Sequence, residues 1–98
     1  MDLKITDSDG VVTIAVKGKL NTTTAPQFNS ETDRALEGAR SAIIDLKDLE
    51  FISSAGIRSI MTIRSKMGGG NVRIVNACGL VREVFEVSGI SAILENRA

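Results

Sequence analysis

Ser53 and Ser54 stand side by side in the run FISSAGIR, directly ahead of Ala55 and Gly56. Adjacent hydroxyls at such a place admit three chemistries. A serine oxygen can accept from the free N–H groups at a helix start and cap it. A serine can act as a nucleophile, which needs a general base beside it. A surface hydroxyl can also accept a phosphoryl group from another protein. The chain has no His, so a Ser-His-Asp triad cannot be assembled from it. It has no G-x-S-x-G elbow either. Lys47 leaves a Ser-Lys dyad as the remaining catalytic arrangement. Asp45 and Asp48 are expected at the polar end of a strand and in a turn. With no His and with Cys78 as the one Cys, the usual zinc and copper ligand sets are missing. No catalytic residue, metal ligand or cofactor is assigned.

The elements around the serines follow from patterning. Ahead of them lies SAIIDL, residues 41–46, a short apolar run that reads as a central buried strand. After them, residues 55–67 repeat at helical spacing. Ile57, Ile60, Met61, Ile63 and Met67 share one arc, while Arg58, Ser59, Thr62, Ser65 and Lys66 share the other. Arg64 intrudes on the apolar arc and is expected to snorkel out. Gly68-Gly69-Gly70 reads as a helix stop and connector, since no strand–GxxxxGK[ST]–helix pattern surrounds it.

Residues 3–7 and 11–17 alternate around Ser8-Asp9-Gly10, as a β-hairpin does. Thr24-Ala25-Pro26-Gln27 has the form of a capping box, and it opens a helix expected over 25–38. Residues 71–76 are a strand. Residues 79–88 are a helix with an apolar stripe of Leu80, Val81, Val84 and Phe85, stopped by Gly89. Residues 90–94 are a short strand or packed tail. The order is ββαβαβα. It predicts an α/β fold, a mixed sheet of four or five strands with about three helices and right-handed crossovers.

The whole composition agrees with one compact domain over residues 1–98. Hydrophobic residues make up 43% and aromatic residues 3%, so the core must be aliphatic. Twelve basic residues balance twelve acidic ones, which argues against a dedicated nucleic-acid binder. The lone Cys suits a reducing compartment. No apolar run approaches the roughly 18 residues of a membrane helix. A soluble, cytoplasmic protein, monomeric on its own, is expected.

The segment from Ile43 to Arg58, IIDLKDLEFISSAGIR, closely resembles the signature of the STAS domain in bacterial anti-sigma factor antagonists. There an apolar strand ends in D-L, a short turn leads to an aromatic, and a serine pair precedes Gly at a helix start. Gly18-Lys19-Leu20 followed by Thr24-Ala25 looks like the family's approach to its first helix. Residues 81–90, VREVFEVSGI, look like its C-terminal helix.

The resemblance implies a phosphorylation-controlled switch, not an enzyme. The partner would be an anti-sigma factor with an ATP-binding serine kinase domain, and a serine phosphatase would reverse the modification. The phosphoacceptor of the family matches Ser54, with Ser53 as the alternative. The partner-binding positions implied are Asn21, Thr22, Ser53, Ala55, Gly56, Arg58, Ser59 and Thr62. Two residues depart from the family: Ser53 and Asn21 each stand where many members carry Asp. A STAS-type adaptor that binds a nucleotide or a lipid, without phospho-switching, is the alternative.

Overall fold

The alternation at the N-terminus closes a hairpin. In the computed structural model, which describes residues 1–95, β1 (Asp2–Ser8) and β2 (Val11–Leu20) pair antiparallel, with Leu3 opposite Val16 and Ile5 opposite Ile14. Asp9 and Gly10 turn the chain with φ of 52° and 83°, the two positive values that a type I′ turn requires. The Asp7 carboxylate accepts from the Gly10 N–H at 3.0 Å.

After the hairpin the chain alternates between helices and parallel strands. α1 (Ala25–Ala35) leads to β3 (Ser41–Asp45) and β4 (Leu49–Ile52). α2 (Ser54–Met67) leads to β5 (Val72–Val75), and α3 (Gly79–Val87) follows. β3 pairs parallel with β2 and with β5, so the sheet runs β1-β2-β3-β5. This is the expected mixed α/β sheet with five strands and three helices.

One strand was not legible. The observed order is ββαββαβα, not ββαβαβα, because LEFI forms β4 where a turn was expected. β2 makes this strand. It continues three residues past its expected end, and its last stretch pairs parallel with β4, from Gly18 opposite Leu49 to Leu20 opposite Ile52. A register shift between Gly18 and Lys19 separates this ladder from the earlier pairing with β3. A strand of four residues has too little periodicity to announce itself, and its partner is distant in sequence.

Helices and sheet meet in one aliphatic cluster. Val12, Ile14 and Ile44 from the sheet join Phe28 of α1, Ile60 of α2 and Phe85 of α3, all at 1% exposure or less. The alternate sheet positions, such as Thr13, Ala15 and Ile43, are only half-buried, as expected for the opposite face of a pleated sheet.

Three helical expectations change. α1 ends at Ala35, and residues 36–38 are a turn in which Gly38 takes φ 74°. Leu80 is 51% exposed and outside the α3 stripe, which narrows to Val81 and Phe85 with Val84 partly buried against the core. Ser59, expected on the polar arc of α2, is buried. α1 packs over that flank of α2, and the Ser59 hydroxyl donates to the Ala55 carbonyl at 3.2 Å, so burial leaves it a partner. Arg64 reaches solvent only in part: it is half-buried, its Nε is buried without a hydrogen-bond partner among the described residues, and its guanidinium lies against Gly69, where an added Cβ would sit 2.7 Å from a guanidinium nitrogen.

The tail from residue 90 is neither a full strand nor loose. Ser91–Ile93 form a 3-10 turn, and Leu94 makes a single parallel bridge to Ile74. Arg73 pairs with the Glu95 carboxylate through both Nε and Nη2. Together these contacts cover part of the β5 edge, which would otherwise offer unpaired backbone groups.

α2 lies unusually close to the sheet at its first turn. A Cβ on Gly56 would stand 2.8 Å from the Leu20 carbonyl oxygen and 2.8 Å from Ile52 Cγ1. One of those atoms is backbone and cannot yield. Gly56→Ala is therefore expected to lower stability by about 1–3 kcal/mol, the usual cost of overpacking, as read by urea denaturation. Gly70→Ala, where an added Cβ meets nothing within 4 Å, is the control and should cost much less.

Candidate functional site

The serine pair sits where β4 hands over to α2, and the structure gives the two hydroxyls different work. Ser53 is the N-cap, with extended backbone at φ −101° and ψ 176°, and its Oγ accepts from the Gly56 N–H. That bond is 3.4 Å long. Its backbone N–H donates to the Leu20 carbonyl at 2.9 Å, and its own carbonyl accepts from Ile57. Ser53 is thus held half-buried by both its main chain and its side chain. Ser54 is the first residue of α2 and is exposed. A helix leaves its first N–H groups without intrahelical acceptors, so this hydroxyl stands at the positive end of the helix dipole.

The pairing of Leu20 with Ile52 brings a second segment to the same place. Residues 21–24 leave β2 directly beside Ser53. Their geometry corrects the expected capping box. Thr24 has helical backbone and caps nothing downstream, while Gln27 bonds to Glu31 through their side chains at 2.7 Å. The reciprocal pair is one turn earlier. Asn21 Oδ1 accepts from the Thr23 and Thr24 N–H groups at 3.0 and 3.1 Å, and Thr24 Oγ1 accepts from the Asn21 N–H at 2.9 Å. The Asn21 carbonyl then accepts from Ala25 at 2.8 Å. Asn21-x-x-Thr24 is the box, and Pro26 still falls in the first turn of α1.

Of the residues expected at the site, Thr22, Ser54, Arg58 and Thr62 are exposed, and Asn21, Ser53 and Ala55 are half-buried. Gly56 and Ser59 are buried. Gly56 therefore acts by letting α2 approach the sheet, and Ser59 by packing under α1. The Thr62 hydroxyl donates to the Arg58 carbonyl at 2.9 Å. Between α1 and α2 runs an open groove of about 290 Å³, whose walls include Asn29, Asp33, Arg58 and Thr62. Patterning did not single out Asn29 or Asp33, because only the packing of α1 on α2 brings them there.

Among the described residues, the hydrogen bond of the serine pair's side chains is that of Ser53 Oγ with the Gly56 N–H, not one to a side-chain base. Lys47 lies in the β3–β4 turn, where its N–H donates to the Asp45 carboxylate at 3.0 Å. Asp48 and the four residues of β4 separate it from Ser53, the strand alone being roughly 13 Å of extended chain. Asp45 also accepts from Asn76 Nδ2 at 3.0 Å, so it ties two loops together at the end of the sheet. Among the described residues no three His, Cys, Asp or Glu side chains come together as a metal site. No helix there is long and apolar enough to cross a membrane.

A mixed sheet with this strand order, a serine-capped helix on its second parallel ladder, and a glycine against β2 define one class of domain. The model of the STAS domain matches residues 2–97, and the chain belongs to that family. BtrV of Bordetella bronchiseptica, which carries the name of an anti-sigma factor antagonist, is 33% identical over 97 residues, covering 95% of this chain and 83% of BtrV. The fold is that of the anti-sigma factor antagonist SpoIIAA. Its unphosphorylated form aligns with a TM-score of 0.82 at 18% identity, covering 99% of this chain and 89% of the other. The phosphorylated form from Bacillus aligns with a TM-score of 0.74 at 19% identity, covering 99% and 92%.

The shifted capping box makes a specific expectation. Asn21→Ala removes the acceptor for two N–H groups and should cost about 1 kcal/mol in urea denaturation. Asn21→Asp keeps that acceptor and should stay within a few tenths of a kcal/mol of the parent. Gln27→Ala, which touches only an exposed side-chain pair, should change stability by less than about 0.5 kcal/mol.

Proposed function

We propose that this protein is an anti-sigma factor antagonist in a partner-switching pathway. Its unphosphorylated form binds an anti-sigma factor that carries an ATP-dependent serine kinase domain, and the sigma factor is released. The kinase phosphorylates Ser54, which abolishes binding, and a serine phosphatase restores the active form. The protein itself catalyses nothing in this scheme.

The observation that carries this reading is the division of labour in the serine pair. Ser53 holds the helix start while Ser54 leaves its hydroxyl in solvent on the first turn of α2. A phosphate at that position meets free helix N–H groups and the dipole, so modification is compatible with the fold. It adds about −1.5 to −2 charges to an exposed surface, and a partner that docks there must desolvate or repel that charge. The partner face consists of Asn21, Thr22, Ser53, Ala55, Arg58 and Thr62 around Ser54. Gly56 and Ser59 support it from beneath.

The test is to incubate the purified protein with the host's anti-sigma kinases and ATP, map phosphate by peptide mass, and follow complex formation. Phosphate is expected on Ser54 and absent from Ser54→Ala, and Ser54→Asp should bind the cognate kinase at least about tenfold more weakly, a loss of roughly 1.4 kcal/mol. Phosphate on Ser53 would move the acceptor by one residue. If no kinase modifies or binds the chain, while a nucleotide or lipid raises its melting temperature, the adaptor reading replaces this one.

A further inference from the structure

Arg58 lies one helical turn after Ser54, on the same exposed side of α2. Residues four apart on a helix have Cβ atoms about 5–6 Å from each other. Helix side chains lean toward the helix N-terminus and over the preceding turn, so from the wall of the α1–α2 groove that it lines Arg58 is within reach of the turn that begins at Ser54. An acid placed four residues before a base is also the favourable orientation for such a pair.

The guanidinium is available. Among the described residues Arg58 takes part in none of the ion pairs. The acid that shares the groove with it, Asp33 of α1, is held by Lys66 Nζ at 3.1 Å.

We propose that Arg58 is the internal acceptor of the phosphorylated state, pairing with the phosphate on Ser54 through charge-assisted hydrogen bonds. This rests on Ser54 as the modified residue and deepens that reading by naming how the modified form is regulated. An arginine suits the role because its fork of donors matches phosphate oxygens. In the unmodified protein Arg58 is a free cation on the partner face. In the phosphorylated protein it is drawn back onto the helix start. Modification thus changes the surface twice: it adds an anion and withdraws a cation that the partner would otherwise meet.

The experiment installs phosphoserine at position 54 during protein synthesis, so no kinase is needed. The phosphate is then titrated by ³¹P NMR in the parent and in Arg58→Gln, alongside a chain with phosphoserine at position 53. The expected second pKa of the position-54 phosphate is about half a unit lower in the parent than in Arg58→Gln, since the cation favours the dianion. Arg58→Lys should recover part of that difference, and the Arg58 Nε–H resonance should shift on modification. The position-53 phosphate, on the N-cap outside the helix, should respond less to Arg58→Gln. Coincident titration curves for the parent and Arg58→Gln at position 54, with unchanged circular dichroism, would overturn the pairing. Phosphate mapped by the kinase experiment only outside the serine pair would instead overturn the switch, and the two failures are separable.

Discussion

The close approach of α2 to the end of β2 is the constraint on which the site depends. Gly56 stands against the Leu20 carbonyl and Ile52, with no room for a Cβ, and the Ser53 N–H bonds to that same carbonyl. These contacts fix the position of the helix start. They also place the 21–24 turn beside it, because that turn begins at the next residue after Leu20. Without the glycine the helix would lift from the sheet, and the two segments that make up the exposed surface would separate.

β2 holds this junction because it pairs twice. Its first half forms a ladder with β3 and its last three residues form one with β4. The register shift between the ladders lets one strand serve two parallel neighbours. β4 has only four residues, yet its ends, Leu49 and Ile52, are buried. Burial of those two side chains, rather than any intrinsic strand preference, keeps it in place. The serine pair thus follows a strand that is anchored on its sheet side, and a short anchored strand positions a hydroxyl more reproducibly than a loop does.

Two adjacent serines with identical chemistry take different roles for reasons of backbone geometry alone. Ser53 has extended φ and ψ and turns its oxygen toward the N–H groups of the first turn. Ser54 is already helical, and its oxygen faces solvent. Asn21 caps its own turn through Oδ1, and an Asp there would accept from N–H groups equally well. Asn21 and Ser53 are both uncharged. The first charged side chain of α2 is Arg58, one turn on from Ser54.

The hairpin, the long amphipathic helix and the apolar central strand were legible because each repeats its pattern over enough residues to show a period. The capping box was legible in kind but not in place. Thr24 and Gln27 have the right spacing, and so do Asn21 and Thr24; only the departure of the chain from β2 decides between them. Ser59 reads as polar surface because periodicity sees one helix at a time, whereas α1 covers that flank. Local propensity and spacing alone specify the helix over 55–67, which the structure begins one residue earlier at Ser54, together with its serine cap and the glycine beside it. Tertiary structure alone decided that β4 exists, that residues 21–24 lie beside the serines, and that Arg58 rather than Ser59 faces solvent. Those outcomes depend on contacts between segments about thirty residues apart, whose energies no local window contains.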